Sequence, residues 1–147
     1  SVYLAALLHS IGQLLQVHHF PKEMNQLLPQ FENHNNQTRL AQERELLGID
    51  SSEAGSWLAK RWHLPVESIF AISHFHDPDY QGDHWQVVRI IGFVVRFFEG
   101  VDDMELESIR VCELFRIPLE KMHSLQENFV HIESSVGTLA EFLIQHD

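Results

Sequence analysis

Two stretches of this 147-residue chain place imidazoles beside hydroxyls or carboxylates. The first is "LLHSIGQLLQ", where His9 and Ser10 interrupt a run of aliphatics. The second is "HFHDPDYQGDH", which gathers His74, His76, Asp77, Asp79, Asp83 and His84. Such side chains can hold a divalent metal or activate a hydroxyl nucleophile, and spacing decides between these uses and plain packing. On a helix His74 and His76 stand about 200° apart, so they cannot chelate one ion unless the helix has already ended. Histidines near a helix C-terminus are also favoured by the macrodipole. A serine nucleophile needs a base and an orienting acid, whereas Ser10 beside His9 and Ser73 beside His74 are neighbours about 100° apart with no nucleophile-elbow motif. Cys112 is the single cysteine, which excludes an intrachain disulfide and a cysteine-based zinc site. It falls on the periodic face of its helix and reads as a small buried apolar residue.

The elements that must position these residues are helical throughout. Leu4, Leu7, Leu8, Ile11, Leu14 and Leu15 predict one helix over residues 2–19, stopped by "HHFP". A short helix around "KEMNQLL", a loop at "FENHNNQ" and a helix through "LAQERELL" to Gly48 follow. "DSSE" is a capping box with Asp50 as N-cap and Glu53 at the third helical position, ahead of Ala54, Trp57, Leu58 and Trp62 on one face. Trp57, Trp62 and Trp85 could line a ligand pocket, but aromatics at helical spacing are expected in the core. The helix ends before "HLP", Pro65 opens another with Val66, Ile69, Phe70 and Ile72, and "HDPD" stops it.

Residues 83–98 form a helix that is apolar nearly all round and is expected in the middle of the core. Glu105 to Phe115 is a further helix. From Pro118 a long one carries Met122, Leu125, Phe129, Ile132, Val136, Leu139 and Leu143 at alternating steps of three and four, a heptad seam that serves either as packing within the chain or as a homodimer interface. No stretch alternates at period two, so the fold class is all-α. Gly12, Gly55 and Gly92 lie inside periodic helices, where each costs about 1 kcal/mol relative to alanine; three such positions predict helices crossing tightly around one centre.

Ten Lys and Arg against 21 Asp and Glu give a formal charge of −11, which leaves no basic surface for a phosphate backbone and excludes nucleic acid as an expected partner. Basic or neutral partners fit the whole-chain charge better. The apolar runs fall short of the roughly 20 residues that span a bilayer, so no membrane partner is expected. With one cysteine and no signal peptide, the expected location is the cytoplasm. The chain opens without Met inside a periodic helix, which suggests a piece of a longer protein.

In order and spacing, "LLHSIGQLL", "ERELLGIDSSEAGSWLAKRWHLP" and "IFAISHFHDP" followed by an apolar helix resemble the HDOD domain, the output-domain relative of the HD and HD-GYP metal phosphohydrolases. The likeness covers most of residues 3–98. Its framework is Gly12, Gly48, Gly55, Trp62, Leu64, Pro65, His76 and Pro78, while residues 101–147 agree only in being helical. It implies a single HDOD-like domain over residues 1–147 that lacks the family's N-terminal helices, built as a multi-helix bundle with a long C-terminal amphipathic helix.

In catalytic HD-type enzymes, histidines and aspartates present divalent metals that activate water against a phosphate ester. By the resemblance His9 stands at the histidine of the HD doublet and Ser10 at its aspartate. Ser51 stands at a histidine of the HD-GYP pattern, Phe75 and His76 at a His-His pair, and Phe93 at the last aspartate. Two imidazoles without a carboxylate do not hold a catalytic metal that must also keep open positions. The resemblance therefore implies a non-catalytic regulatory module with a vestigial pocket at His9, Ser10, Ser51, Phe75, His76 and Phe93. It implies no catalytic residue, no metal and no cofactor, and as partner another protein or a neighbouring regulatory domain. Two alternatives stand beside it. One is a phosphohydrolase using His9, His76 and the acidic loop as an altered ligand set; the other is a small-molecule sensor in which His9, Ser10, Ser51 and His76 hydrogen-bond a ligand in a pocket left open rather than filled by Phe75 and Phe93.

Overall fold

The computed structural model describes the backbone of residues 2–31, 35–100 and 103–144, and side chains through residue 132. Among the described residues every regular element is a helix, as the periodicities require. None is long and apolar enough to cross a membrane. The chain divides into two compact units, Ser1–Glu99 and Gly100–Asp147.

In the first unit α1 (Val2–Leu8) and α2 (Ile11–His19) replace the single helix expected over residues 2–19. The break falls at His9 and Ser10, the latter at φ −94° and ψ 10°. Ser10 and Gly12 weaken helix propagation there, and the His9 side chain satisfies the Ala6 carbonyl at 2.7 Å. Next come α3 (Pro21–Phe31) and α4 (Asn36–Leu47), both longer than their sequence signals. Met24, Leu27 and Phe31 of α3 bury themselves with Leu47 against them, and Asn35 caps α4 by accepting from the Thr38 N–H at 2.9 Å. Of the expected loop at 31–37, residues 32–34 lie outside the described residues. Gly48 closes α4 at φ 76°, in the left-handed region that suits glycine.

Helix α5 (Ser51–Arg61) has both halves of its capping box: Asp50 accepts from the Glu53 N–H at 2.8 Å, and the Asp50 N–H faces the Glu53 carboxylate at 3.5 Å. Its buried face is made of Ser52, Ala54, Gly55, Ser56 and Ala59. This corrects the expectation for the tryptophans. Trp57 is 57% and Trp62 52% exposed; Trp85 is half-buried. The reason is the crossing with α2. A Cβ on Gly12 would fall onto the Ser51 carbonyl oxygen and within 2.7 Å of the Gly55 N, so the two backbones touch and only small residues fit between the helices.

Helix α6 (Val66–His74) packs on α5, and α7 (Trp85–Glu99) packs on α6 and α1. Ala5, Ala71, Phe75 and Ile91 make the core there, with Val87 and Val95 against it. Helix α7 is more one-sided than the sequence suggests: Val88, Ile91, Gly92, Phe93 and Arg96 are buried while Phe98 is 46% exposed. A Cβ on Gly92 would meet the Phe75 carbonyl oxygen, so this glycine too marks a close approach.

The second unit holds α8 (Met104–Phe115) and α9 (Leu119–Ile144). Ser108, Val111 and Cys112 of α8 and Met122 of α9 are buried, and the Gln126 amide donates to the Ser108 hydroxyl at 2.9 Å. Burial raises the Cys112 thiol above its ordinary pKa, as for an inert core cysteine. On the heptad seam Leu125 and Ile132 are exposed; Val136, Leu139 and Leu143 lie outside the described side chains.

Candidate functional site

A cleft of about 50 Å³ opens in the first unit, with room for a few waters. Four segments build it. The α1–α2 break supplies His9, Ser10 and Gln13, and α4 supplies Asn36, Arg39, Leu40 and Glu43. Ser51 comes from the start of α5, Phe75 and His76 from beyond the end of α6, and Val95 and Glu99 from α7. Five of the six residues singled out from the sequence therefore meet, across separations of up to 67 positions between His9 and His76. Phe93 does not line the cleft. It is buried in α7, while Val95 and Glu99 are the α7 residues that reach the wall. Of the framework residues, Gly12 and Gly55 make the α2–α5 crossing, Pro65 caps α6, and Trp62 and Pro78 are exposed.

The carbonyl of Ala6 can only accept, so His9 Nδ1 donates to it, and Nε2 is left for the cleft. Its ring meets Phe75 edge-on at 5.4 Å. Helix α6 ends at His74, so His74 and His76 are released from helical geometry, but they separate: His74 stacks on Tyr80 at 4.5 Å and His76 turns into the cleft. Burial, reinforced by the Arg39 guanidinium and less by the neighbouring His9 and Arg96, pushes His76 down to about 3. Its Nδ1 is buried without a hydrogen-bond partner among the described residues.

This depressed value has a measurable consequence. An unfolded chain takes up a proton on this histidine near pH 6.5 and the folded chain does not until about 3. Its contribution to stability is thus fully present above pH 6.5 and declines as pH falls, by about 1.4 kcal/mol per unit. Urea unfolding from pH 7 to 5 should show wild type losing about 2 kcal/mol relative to His76→Gln; parallel curves would mean that His76 is solvated and titrates normally.

The residues that sequence reasoning missed lie on α4. Asn36, Arg39, Leu40 and Glu43 follow helical spacing and form one stripe, a signal that was available although none of the four has a recognisable motif around it. Glu43 is 2% exposed. Its Oε2 accepts from the Ser51 N–H at 2.6 Å and from the Gln16 amide at 3.3 Å, which places its charge at the N-terminus of α5. The Gln16 amide also donates to the Ile49 carbonyl at 3.0 Å. Arg39 lies 3.5 Å from Glu99, donates to Asn36 at 3.3 Å and covers the Phe31 ring at 4.8 Å. Buried Arg96 donates to the Phe75 carbonyl at 3.2 Å and fixes the turn that carries His76.

An HD-type metal centre needs several oxygen and imidazole ligands with open positions left over. Here the Glu43 carboxylate is held by the α5 terminus, Glu99 is held near Arg39, Ser10 offers a neutral hydroxyl and Phe75 a ring. Arg39 adds a fixed positive charge to the same wall. These residues do not fit such a centre. The acidic loop does not repair the set: Asp77, Asp79 and Asp83 are exposed and do not line the cleft. Among the described residues no three His, Cys, Asp or Glu are placed to hold a metal ion.

Crossing helices of one all-helical unit gather His9, Ser10, Ser51 and His76 around a single cleft, as expected if the chain is an HD-related domain. Residues 1–78 match the family model of the HDOD domain, and the chain belongs to that family. No curated protein and no solved structure matches the chain.

Proposed function

We propose that the chain is a non-catalytic regulatory module that transmits signals through contacts with another protein or a neighbouring domain, residues 1–147 acting as one HDOD-like unit in the cytoplasm. The observation that carries this reading is the engagement of the cleft's carboxylates. Glu43 serves the α5 terminus and Glu99 pairs with Arg39, so neither is free to ligate a metal beside His9 and His76. Elemental analysis of the purified protein, with turnover assays on generic phosphodiesters and nucleotides, tests it. We expect substoichiometric metal and no turnover; stoichiometric manganese or iron with turnover that His9→Ala and His76→Ala abolish would overturn it.

The sensor alternative draws support from a cleft that Phe75 narrows without closing, but about 50 Å³ restricts it to ligands of a few heavy atoms. Exposed Leu125 and Ile132 on α9 support a homodimer as one form of the regulatory contact. Sedimentation of wild type against Ile132→Glu reads that contact, with a concentration-dependent dimer expected only for the wild type.

A further inference from the structure

A second recess, of about 240 Å³, lies between α2 and α5 and is lined mainly by Leu15, His19, Phe20, Ile49, Ala54 and Trp57. Its volume is below the roughly 300 Å³ at which pockets for drug-sized molecules begin, and suits one bulky side chain. About one turn of each helix lines it, Leu15 to His19 on α2 and Ala54 to Trp57 on α5, so it seats one side chain of a segment that crosses its mouth. Trp57 and Phe20 stand at its edge, 57% and 36% exposed. An indole left in water on a rigid helix is the kind of aromatic anchor that dominates protein interfaces.

The charges at the mouth state what the occupant carries. At about 100° per residue, Trp57 has Ala54 and Arg61 to one side and Glu53 and Lys60 to the other, each within about 60° of it, so one carboxylate and two cations flank the indole on α5. The Arg61 guanidinium sits 5.7 Å from the Trp57 ring, and Glu53 lies 3.5 Å from Arg44. On α2 the same spacing sets His19 beside Leu15. With Glu53 paired to Arg44, Lys60 and Arg61 leave this edge of α5 net positive within a chain of net charge −11. That net charge alone favours basic partners; the local rim reverses that preference at this groove.

We propose that the α2–α5 groove docks an acidic amphipathic segment of a protein partner, its bulky apolar side chain seated against Trp57 and its carboxylates facing Arg61 and His19. This is a helix-in-groove contact. It rests on the regulatory reading above and names the surface through which that reading operates.

Calorimetric titration of the whole chain with three synthetic amphipathic peptides tests it. The peptides share one Leu and Phe stripe and differ in a Glu, Gln or Lys polar face. The Glu-faced peptide is expected to bind at least tenfold more tightly than the Gln-faced one, and the Lys-faced peptide weakest. Trp57→Ala should lower Glu-faced affinity at least tenfold, and Arg61→Glu should reverse the order of the Glu-faced and Lys-faced peptides. Both positions are exposed, and circular dichroism checks that the variants fold. Binding that ignores the polar face, binding unaffected by either variant, no binding at all, or a self-association that Trp57→Ala abolishes would each overturn the proposal. Turnover assays are read separately: loss of peptide binding without turnover rejects the groove alone, whereas metal-dependent turnover rejects the regulatory reading.

Discussion

Gly12→Ala is expected to destabilise the chain by about 3 kcal/mol or more, at or beyond the upper end of ordinary overpacking. Intrinsic propensity argues the other way, since alanine in a helix interior is worth about 1 kcal/mol over glycine. The crossing decides the sign. The added methyl would land on the Ser51 carbonyl oxygen and near the Gly55 N, and both are backbone atoms that cannot rotate aside. Relief requires α2 to move away from α5, which would also pull on the Gln16 bonds to Glu43 and Ile49. Gly48→Ala is the internal comparison. Nothing lies within 4 Å of that Cβ, and only its φ of 76° is unfavourable, so about 1 kcal/mol is expected. Urea denaturation of the two variants measures the difference. A Gly12→Ala protein as stable as wild type would mean that the α2 and α5 backbones are not in contact.

Glu43→Ala should cost about 3 kcal/mol, combining a lost charge-assisted hydrogen bond with the unfilled space of the side chain. The carboxylate at 2% exposure satisfies the Ser51 N–H and the Gln16 amide together, and its removal leaves two buried donors without that acceptor. Glu43→Gln keeps a carbonyl oxygen in nearly the same shape and loses the negative charge at the α5 N-terminus, for which about 1 kcal/mol is expected. The order wild type, Gln, Ala in thermal and urea unfolding is the test. An alanine variant no less stable than the glutamine variant would show that the carboxylate is not holding the α5 terminus.

How far the fold was legible depends on how local each signal is. Asp50 and Glu53 cap α5 in the form that "DSSE" spells out, and Gly48 and Pro65 stand at the boundaries their chemistry predicts. Each of these signals acts within about one turn of chain. The glycines at 12, 55 and 92 announced close helix crossings because no local reason for them exists, and all three meet another segment. The tryptophans misled because apolarity at helical spacing says that a face can be buried without saying which face the partner helix leaves room for. With Gly12 against Gly55, α5 buries its small residues and turns Trp57 outward.

The candidate site divides in the same way. His9, Ser10, Ser51, Phe75 and His76 come together as their motif positions imply, and Phe93 misses by its place on α7. Arg39 and Glu43 went unnoticed because their partners are chosen by the fold.

The sequence by itself determined that the chain is helical, where most helices start and stop, and that a carboxylate is absent beside His9, since propensities, caps and residue identities are written within a few positions of one another. Tertiary structure decided the exposed indole of Trp57 and the engagement of Glu43 and Arg96 with partners far along the chain, Gln16 at 27 positions and Phe75 at 21. Those choices belong to backbone approach and buried hydrogen bonding between distant helices, whose energies appear only once the segments are packed.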